Sequence, residues 1–249
     1  MKIFIINLER SVDRKEHMLK EIEKLKGDKD FQKYEFIFFK AIDSTSKEFA
    51  EFKNKYFSPY TCYMFHGRVM TDNEIACYAS HFSLWQECIR LNEPIIVLED
   101  DIIIESNFFS ALDEIQNSKF SFVRGYFCDK NRDKFARQIG NSHFYYALKN
   151  LSGTQGYYIT PRAAAAFSAA KKWEYPVDAF IEWGGAHKID NIIYKPFFVS
   201  ESELSPQATI SRSINQNVPR IYKILRPFYR SFIAIKRFIF KLFYRAPKL

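Results

Sequence analysis

The sequence predicts an α/β fold: a sheet covered by helices, followed by a separate amphipathic helical tail. Three observations carry that prediction. Short, continuous apolar runs of strand length alternate with segments of helical period; the chain opens strand, helix, strand, as parallel strands covered by helices do; and from residue 220 onward the pattern becomes strongly basic with a 3.6-residue period.

Lys2 to Leu8 is an apolar run of buried-strand type, and Ser11 to Leu25 follows as a helix with Val12, Met18, Leu19, Ile22 and Leu25 on one side. Tyr34 to Ile42 is too densely apolar for one helical face and is predicted as the second strand. Thr71 and Glu74 have capping-box spacing and open a helix that runs to about Asn92, before Pro94. On that helix Glu74, Tyr78, His81 and Trp85 fall within about 60° of one another, while Cys77, Leu84 and Cys88 form an adjoining core stripe. Pro94 to Leu98 reads as a central strand, Ile102 to Ile104 as the next extended segment, Phe108 to Ile115 as a helix and Phe120 to Cys128 as a strand. Asp129 to Gln138 is charged and predicted to be an exposed loop. His143 to Leu148 and Tyr157 to Thr160 are strands separated by a Gly153-Thr154-Gln155-Gly156 turn. Thr160-Pro161 is a cap followed by Pro at the first helical position, Pro176-Val177-Asp178 opens another segment, and Ile192 to Val199 is the last strand.

Composition narrows the function classes. The 249 residues carry 37 basic and 29 acidic side chains, a net charge of +8, with 47% hydrophobic and 18% aromatic residues. Nine of the cations and none of the acids lie from Arg220 to the end, which leaves 28 basic against 29 acidic in residues 1–219. A basic face built across the whole fold, as a nucleic-acid binder needs, is therefore not expected. Cys62, Cys77, Cys88 and Cys128 show no metal-ligand spacing and are read as reduced cytosolic thiols. The apolar run Ile3 to Ile6 is too brief for a secretory signal and no window reaches the span of a membrane helix, so a soluble or peripheral protein is expected.

The chemistry concentrates at two places. Asn7, Leu8, Glu9, Arg10 and Arg14 lie at the carboxyl end of the first strand, where parallel sheets bind phosphates and nucleotides. Arg10 and Arg14 share a helical face if the helix begins by Ser11, presenting two guanidiniums to an anionic partner. Glu99-Asp100-Asp101 ends a buried strand, and in an extended backbone Glu99 and Asp101 point the same way, a pair of hard-oxygen donors suited to Mn²⁺ or Mg²⁺. Asp178, near a helix start, is a candidate general base, with Glu182 and Asp190 as alternatives.

Taken in order, Phe4-Ile5-Ile6-Asn7-Leu8-Glu9-Arg10 with Arg14, Glu74 through His81, Val97-Leu98-Glu99-Asp100-Asp101, Gly153-Thr154-Gln155-Gly156-Tyr157 and Pro176-Val177-Asp178 resemble glycosyltransferase family 25. That bacterial lipooligosaccharide group includes β-galactosyltransferases. The likeness spans about residues 1–210, and Asn73 and Ala76 depart from it where the family often carries glycine. The resemblance implies a GT-A-like, Rossmann-like mixed sheet flanked by helices, a UDP-galactose or UDP-glucose donor, and a divalent cation (Mn²⁺ or Mg²⁺) at a DxD-like motif. On this chain that motif would be Glu99-Asp100-Asp101, where the residues themselves already suggest Glu99 and Asp101 as metal ligands; Asp178, ahead of Glu182 and Asp190, is then the expected base of an inverting transfer. Asn7, Leu8, Arg10, Arg14, His81, Asp100, Gln155 and Gly156 become the donor-binding set. His81 is equally readable as an ordinary core histidine, and Asp178 as a plain helix cap.

In the tail, the stretch from Pro227 to Arg245 has Pro at a helix start, and on a helix measured from Ile221 the residues Leu225, Phe228, Phe232, Ile235, Ile239, Leu242 and Phe243 cluster on one side, opposite most of the cations. This pattern predicts an anionic-membrane-associating tail over 219–249 after a domain over 1–218. Joined to that pattern, the resemblance implies that 1–218 is catalytic and works on the cytoplasmic face of a bacterial inner membrane, on a lipid-linked oligosaccharide acceptor. The alternative for the tail is packing on its own domain or on a second subunit of a homodimer. Competing functions are another metal-dependent nucleotide enzyme, such as a nucleotidyltransferase, and a non-catalytic peripheral module. The lack of a Gly-rich phosphate loop disfavours the former and the clustered acids the latter.

Overall fold

The computed structural model describes residues 1–149, 151–204 and 218–249. The first half of the chain forms β1 (Lys2–Asn7), α1 (Val12–Leu25), β2 (Glu35–Lys40), α2 (Lys47–Tyr56), α3 (Pro59–His66), α4 (Asp72–Leu91), β3 (Ile95–Glu99), β4 (Ile102–Ile104) and α5 (Phe108–Gln116). The second half adds β5 (Phe122–Arg124), β6 (Arg137–Gln138), β7 (Phe144–Tyr146), β8 (Gly156–Ile159), α6 (Pro161–Ser168), α7 (Val177–Ile181), α8 (Gly184–His187), β9 (Ile192–Tyr194), β10 (Val199–Glu201) and α9 (Arg220–Phe243).

Eight strands make one mixed sheet in the order β2-β1-β3-β8-β5-β9-β7-β6. Its first three strands are parallel, as the strand-helix-strand opening predicts, whereas β8 runs antiparallel to both β3 and β5. Alternate residues feed two separate cores. Phe4, Val97 and Tyr157 face the layer of α4, α6 and α7, while Ile3, Ile5, Ile96, Leu98 and Tyr158 face α1 and α5. Both faces are covered, which is why these strands read as continuous rather than alternating apolar runs.

The helix signals hold at their starts. Thr71 and Glu74 form a complete capping box, and Asn92 closes α4 in the left-handed conformation. Thr160 caps α6 with Pro161 in its first turn. On α1 the predicted face is rotated: Met18 and Ile22 are buried, but Val12 and Leu19 are exposed. Glu21 is buried instead and accepts the Ile104 backbone N–H at 3.0 Å. The apolar run Ile192 to Val199 is two strands, not one: β9 stays in the main sheet and β10 pairs antiparallel with β4. The predicted strand over Phe120 to Cys128 contracts to β5, because Gly125 turns to bond the Gly156 carbonyl. Part of the predicted loop after Asp129 is ordered as a 3-10 turn and the edge strand β6. Helices α2, α3 and α8 were not legible in the sequence.

The tail helix begins seven residues before Pro227, so the proline lies inside it. Packing of the first turn accounts for this: Tyr222 stacks on Tyr60 of α3 at 4.6 Å between ring centroids, and the Arg226 guanidinium lies over the Tyr63 ring. These contacts hold the turn before Pro227 helical despite the lost backbone donor. Cys62, Cys77, Cys88 and Cys128 are free thiols in the structure.

His187 gives the fold a pH dependence. Its ring is buried, Nε2–H donates to the Ile181 carbonyl at 3.0 Å, and Nδ1 accepts from the Ile189 N–H at 3.1 Å, which assigns a neutral tautomer. Burial pushes its pKa down from 6.5 to about 4. The unfolded chain therefore binds the proton first, so the contribution of neutral His187 is complete above pH 6.5 and is lost as pH falls toward about 4. A loss of up to about 3 kcal/mol is expected across that window. Urea unfolding of wild type and His187→Gln at pH 7 and pH 4.5 reads it; equal pH slopes in the two proteins would remove His187 from this role.

Candidate active site

The carboxyl ends of β1, β2 and β3 open into a cleft roofed by the first turns of α4, enclosing about 780 Å³ of space including its open mouth. Leu8, Arg10, Arg14, His81, Glu99, Asp100 and Asp101 all line it, beside Cys77 and Asn73. The position follows from topology: the loops at this end of a parallel sheet are free of crossover packing and their backbone groups are open to a ligand. Ser80 braces the roof by accepting the Ile42 N–H at 2.9 Å.

The polar groups at the cleft interlock, with the predicted donor-binding Asn7 buried behind the lining rather than part of it. The Asn7 side chain donates to Asp100 Oδ2 at 2.7 Å, and Arg14 Nη1 donates to Asp100 Oδ1 at 3.0 Å and to Asp101 Oδ2 at 3.3 Å. The extended backbone ends at Glu99, and Asp100 and Asp101 form a turn, so strand alternation does not carry through to Asp101. Glu99 accepts the Thr154 hydroxyl and lies 3.5 Å from His81 Nε2. Asp101 Oδ1 is buried and has no hydrogen-bond partner among the described residues. Burial, and then the charge of Glu99, pushes the Asp101 carboxyl well above the usual carboxylate range. Burial also raises Glu99, but His81 and Thr154 outweigh it and hold Glu99 below that range. Asp100 is raised because burial outweighs its bonds to Asn7 and Arg14. A cation beside Asp101 Oδ1 and Glu99 would relieve this crowding, and the orphaned carboxylate oxygen is the donor type Mn²⁺ or Mg²⁺ takes.

The two arginines do not form a twin clamp. Helix α1 starts at Val12, so Arg10 lies outside it and pairs with Asp43, while Arg14 turns inward to the acids. His81 is both buried and at the cleft: Nδ1 meets the Tyr157 hydroxyl at 2.9 Å, and that hydroxyl also accepts from Trp85 Nε1 at 3.0 Å. Cys77, read as a core-stripe residue, faces the cleft instead. Gln155 and Gly156 are not among the lining residues. Gly156 sits in β8 with its α-carbon against Val199, where a Cβ would come within 2.8 Å of that side chain, and Gln155 donates to Cys128 Sγ at 2.9 Å. Asp178 is also off the lining, in the first turn of α7; the N-cap is Pro176, which excludes a capping role for Asp178. Its charge is felt at Arg68, Cys77 and Glu182, placing it at the Cys77 side of the cleft, and among the described residues its carboxylate has no hydrogen-bond or ion-pair partner.

Of the alternative bases, Asp190 accepts from the Tyr244 hydroxyl at 2.9 Å, away from the cleft. Glu182 is locked: its Oε1 receives Arg124 and the N–H groups of Leu151 at 2.8 Å and Ser152 at 2.7 Å. Arg124 also donates to the Ser152 and Gly153 carbonyls, so this buried pair pins the turn that delivers Thr154 to Glu99. The sequence carried one unread sign of it, a lone cation inside the apolar run Phe120 to Phe127. Arg68, bonded to Glu74 by both terminal nitrogens, was likewise unread.

Residues 1–181 match the model of glycosyltransferase family 25 (LPS biosynthesis protein). The chain is 29% identical over 177 residues to the lipooligosaccharide biosynthesis protein lic2B of Haemophilus influenzae, covering 67% of this chain and 62% of that protein. It is 38% identical over 112 residues to a glycosyltransferase 25 family member of Anopheles gambiae, covering 43% and 17% respectively. To procollagen galactosyltransferase 2 of Mus musculus it is 34% identical over 115 residues, covering 43% and 16%. The chain thus matches less than two thirds of the length of each of these relatives. The ordered blocks at the cleft and a family match over most of the sequence lead to one conclusion: this chain belongs to glycosyltransferase family 25.

Proposed function

We propose that this chain is an inverting, metal-dependent glycosyltransferase that moves galactose or glucose from a UDP-sugar to a lipooligosaccharide acceptor. The observation that carries the reading is the convergence of Glu99, Asp100, Asp101, Asn7 and Arg14 at the ends of β1 and β3, with one buried carboxylate oxygen of Asp101 left for a ligand. Leu8, Arg10, Arg14 and His81 line the space for the donor, and Arg10 is half-exposed at its rim. Asp100, held by Asn7 and Arg14, keeps the acidic turn in place. Glu99 and Asp101 would hold the divalent cation, which when bound neutralises charge on the leaving diphosphate. The Asp178 carboxylate takes the proton of the acceptor hydroxyl as its oxygen bonds to the anomeric carbon and the bond to UDP breaks. Gln155 and Gly156 act behind the lining, through the turn that carries Thr154. Screening UDP-sugars for hydrolysis tests the reading: release of UDP from one or two donors, abolished by excess chelator and restored by Mn²⁺, is expected. Undiminished activity in excess chelator would exclude the metal role of Glu99 and Asp101.

Residues 1–218 form the catalytic unit in this proposal and 219–249 its attachment to an anionic membrane. One face of α9 packs on the body through Tyr222, Tyr229 and Phe240, which meet Tyr60, Phe65 and Trp183. The opposite face leaves Phe228 72% and Phe243 79% exposed, with Ile224, Phe238 and Leu242 also in solvent. Each such side chain forgoes about 1.5–3 kcal/mol available on burial, and each nearby cation contributes about 1 kcal/mol at an anionic surface. No helix among the described residues is long and apolar enough to cross a membrane. Sedimentation with phosphatidylglycerol vesicles is expected to carry the protein down and to fail for the Phe228→Glu, Phe232→Glu, Leu242→Glu variant. Equal sedimentation of that variant would remove the apolar face from the role.

A further inference from the structure

We propose that Cys77, His81 and Glu99 form a binding site for a thiophilic divalent cation of the Zn²⁺ class, distinct in donor chemistry from the hard-oxygen pair at Glu99 and Asp101. The three ligand atoms all lie within 4.8 Å of one another, contributed by successive turns of α4 and by the end of β3. A tetrahedral zinc centre with these ligand types has edges of about 3.3–3.6 Å. The His81 Nε2 to Glu99 Oε1 separation, 3.5 Å, already falls in that range, and the Cys77 thiol lies within 4.8 Å of both.

A second, independent feature is the support behind the histidine. Tyr157 is fully buried and its hydroxyl, fixed by Trp85 Nε1, faces His81 Nδ1 at 2.9 Å. When a cation takes the place of the proton on Nε2, that hydroxyl would accept from Nδ1–H and the Nε2 lone pair would be directed at the Glu99 side of the cleft. Metal-bound histidines are oriented by this kind of partner on the other ring nitrogen. Glu99 is in turn held by the Thr154 hydroxyl. Cys77 and His81 are one helical turn apart on α4, so the fold presents both donors to one point without rearranging the backbone. Three protein ligands leave one coordination position facing the cleft, so the ion would stand where the donor is proposed to bind and would draw on Glu99, shared by both sets. Cys77 loses its proton to the solvent when the metal–sulfur bond forms.

Co²⁺ is the probe, titrated into the full-length protein without any sugar donor, so that the result is separate from the transferase reading. A thiolate-to-cobalt charge-transfer band saturating at a single equivalent is expected. The band should vanish in Cys77→Ser, weaken by about tenfold or more in affinity in Tyr157→Phe, and persist in Cys128→Ser. Absence of the band in wild type, or its survival in Cys77→Ser, overturns the site. A measurement on unmodified protein guards against a misfolded variant: Zn²⁺ should slow alkylation of Cys77 by iodoacetamide, read by peptide mass spectrometry, and leave Cys128 unaffected. Equal Cys77 rates with and without Zn²⁺ also overturn it.

Discussion

Replacing Asp178 with asparagine is expected to lower sugar-transfer turnover by about 10²–10⁴-fold, the usual worth of a positioned general base, while the donor KM stays within about twofold. The split follows from placement. Asp178 lies in the first turn of α7, outside the set of side chains that line the cleft proposed to take the donor, and its charge reaches that cleft at the Cys77 side. Its carboxylate makes no hydrogen bond among the described residues, so the isosteric amide changes proton affinity without leaving a partner unsatisfied. Steady-state kinetics with the donor and acceptor identified by screening gives both constants. Turnover at wild-type level would remove Asp178 from the mechanism, and a large rise in donor KM at unchanged turnover would reassign it to donor binding.

Glu182→Ala is expected to cost about 3–5 kcal/mol of stability, because it strands a guanidinium in the interior. Both partners of the Arg124–Glu182 pair are at most 3% exposed, and Oε1 of Glu182 alone receives Arg124 and two backbone N–H groups. Burial raises the Glu182 carboxyl and Arg124 opposes that rise, so the interior favours the pair only while both members are present. For a chain of this length the loss corresponds to a fall in Tm of about 10 °C. Glu182→Gln, which preserves an acceptor oxygen for Leu151 and Ser152, should fall by less. Thermal denaturation of the two variants decides it; a Tm for Glu182→Ala within about 2 °C of wild type would contradict the assignment. The same pair anchors the turn that holds Thr154 on Glu99, so the structural loss and a loss of metal affinity are expected together.

Much of the site could be read before any coordinates because its residues sit where local signals are strongest. The capping box at Thr71 and Glu74 determines where α4 begins, and with that the face bearing Cys77 and His81. The apolar runs ending at Asn7 and Glu99 place both at the carboxyl edge of a parallel sheet, the edge that binds ligands. Errors arose where a local rule met a long-range contact. Asp100 and Asp101 turn instead of extending because β4 leaves the main sheet to pair with β10. Pro227 lies within a helix because α3 supports the turn before it. Cys77 looked apolar by period, yet the stripe it belongs to runs out of the core into the cleft at that position.

By itself the sequence determined the α/β class, the order of its principal strands and helices, the near-neutral body with its basic amphipathic tail, and the place of the acidic triplet at the end of a buried strand. Those features rest on period, capping and composition, which operate over a few residues. Only the tertiary structure decided that Asn7 and Arg14 clasp Asp100, that Glu182 is a buried anchor for Arg124, and that one face of α9 is spent on the body while the other stays in solvent. Asn7 and Asp100 are 93 positions apart, and Arg124 and Glu182 are 58 apart. No local pattern encodes such pairs; they form because burial leaves a charged or polar group one acceptable partner, and the fold alone determines which partner is within reach.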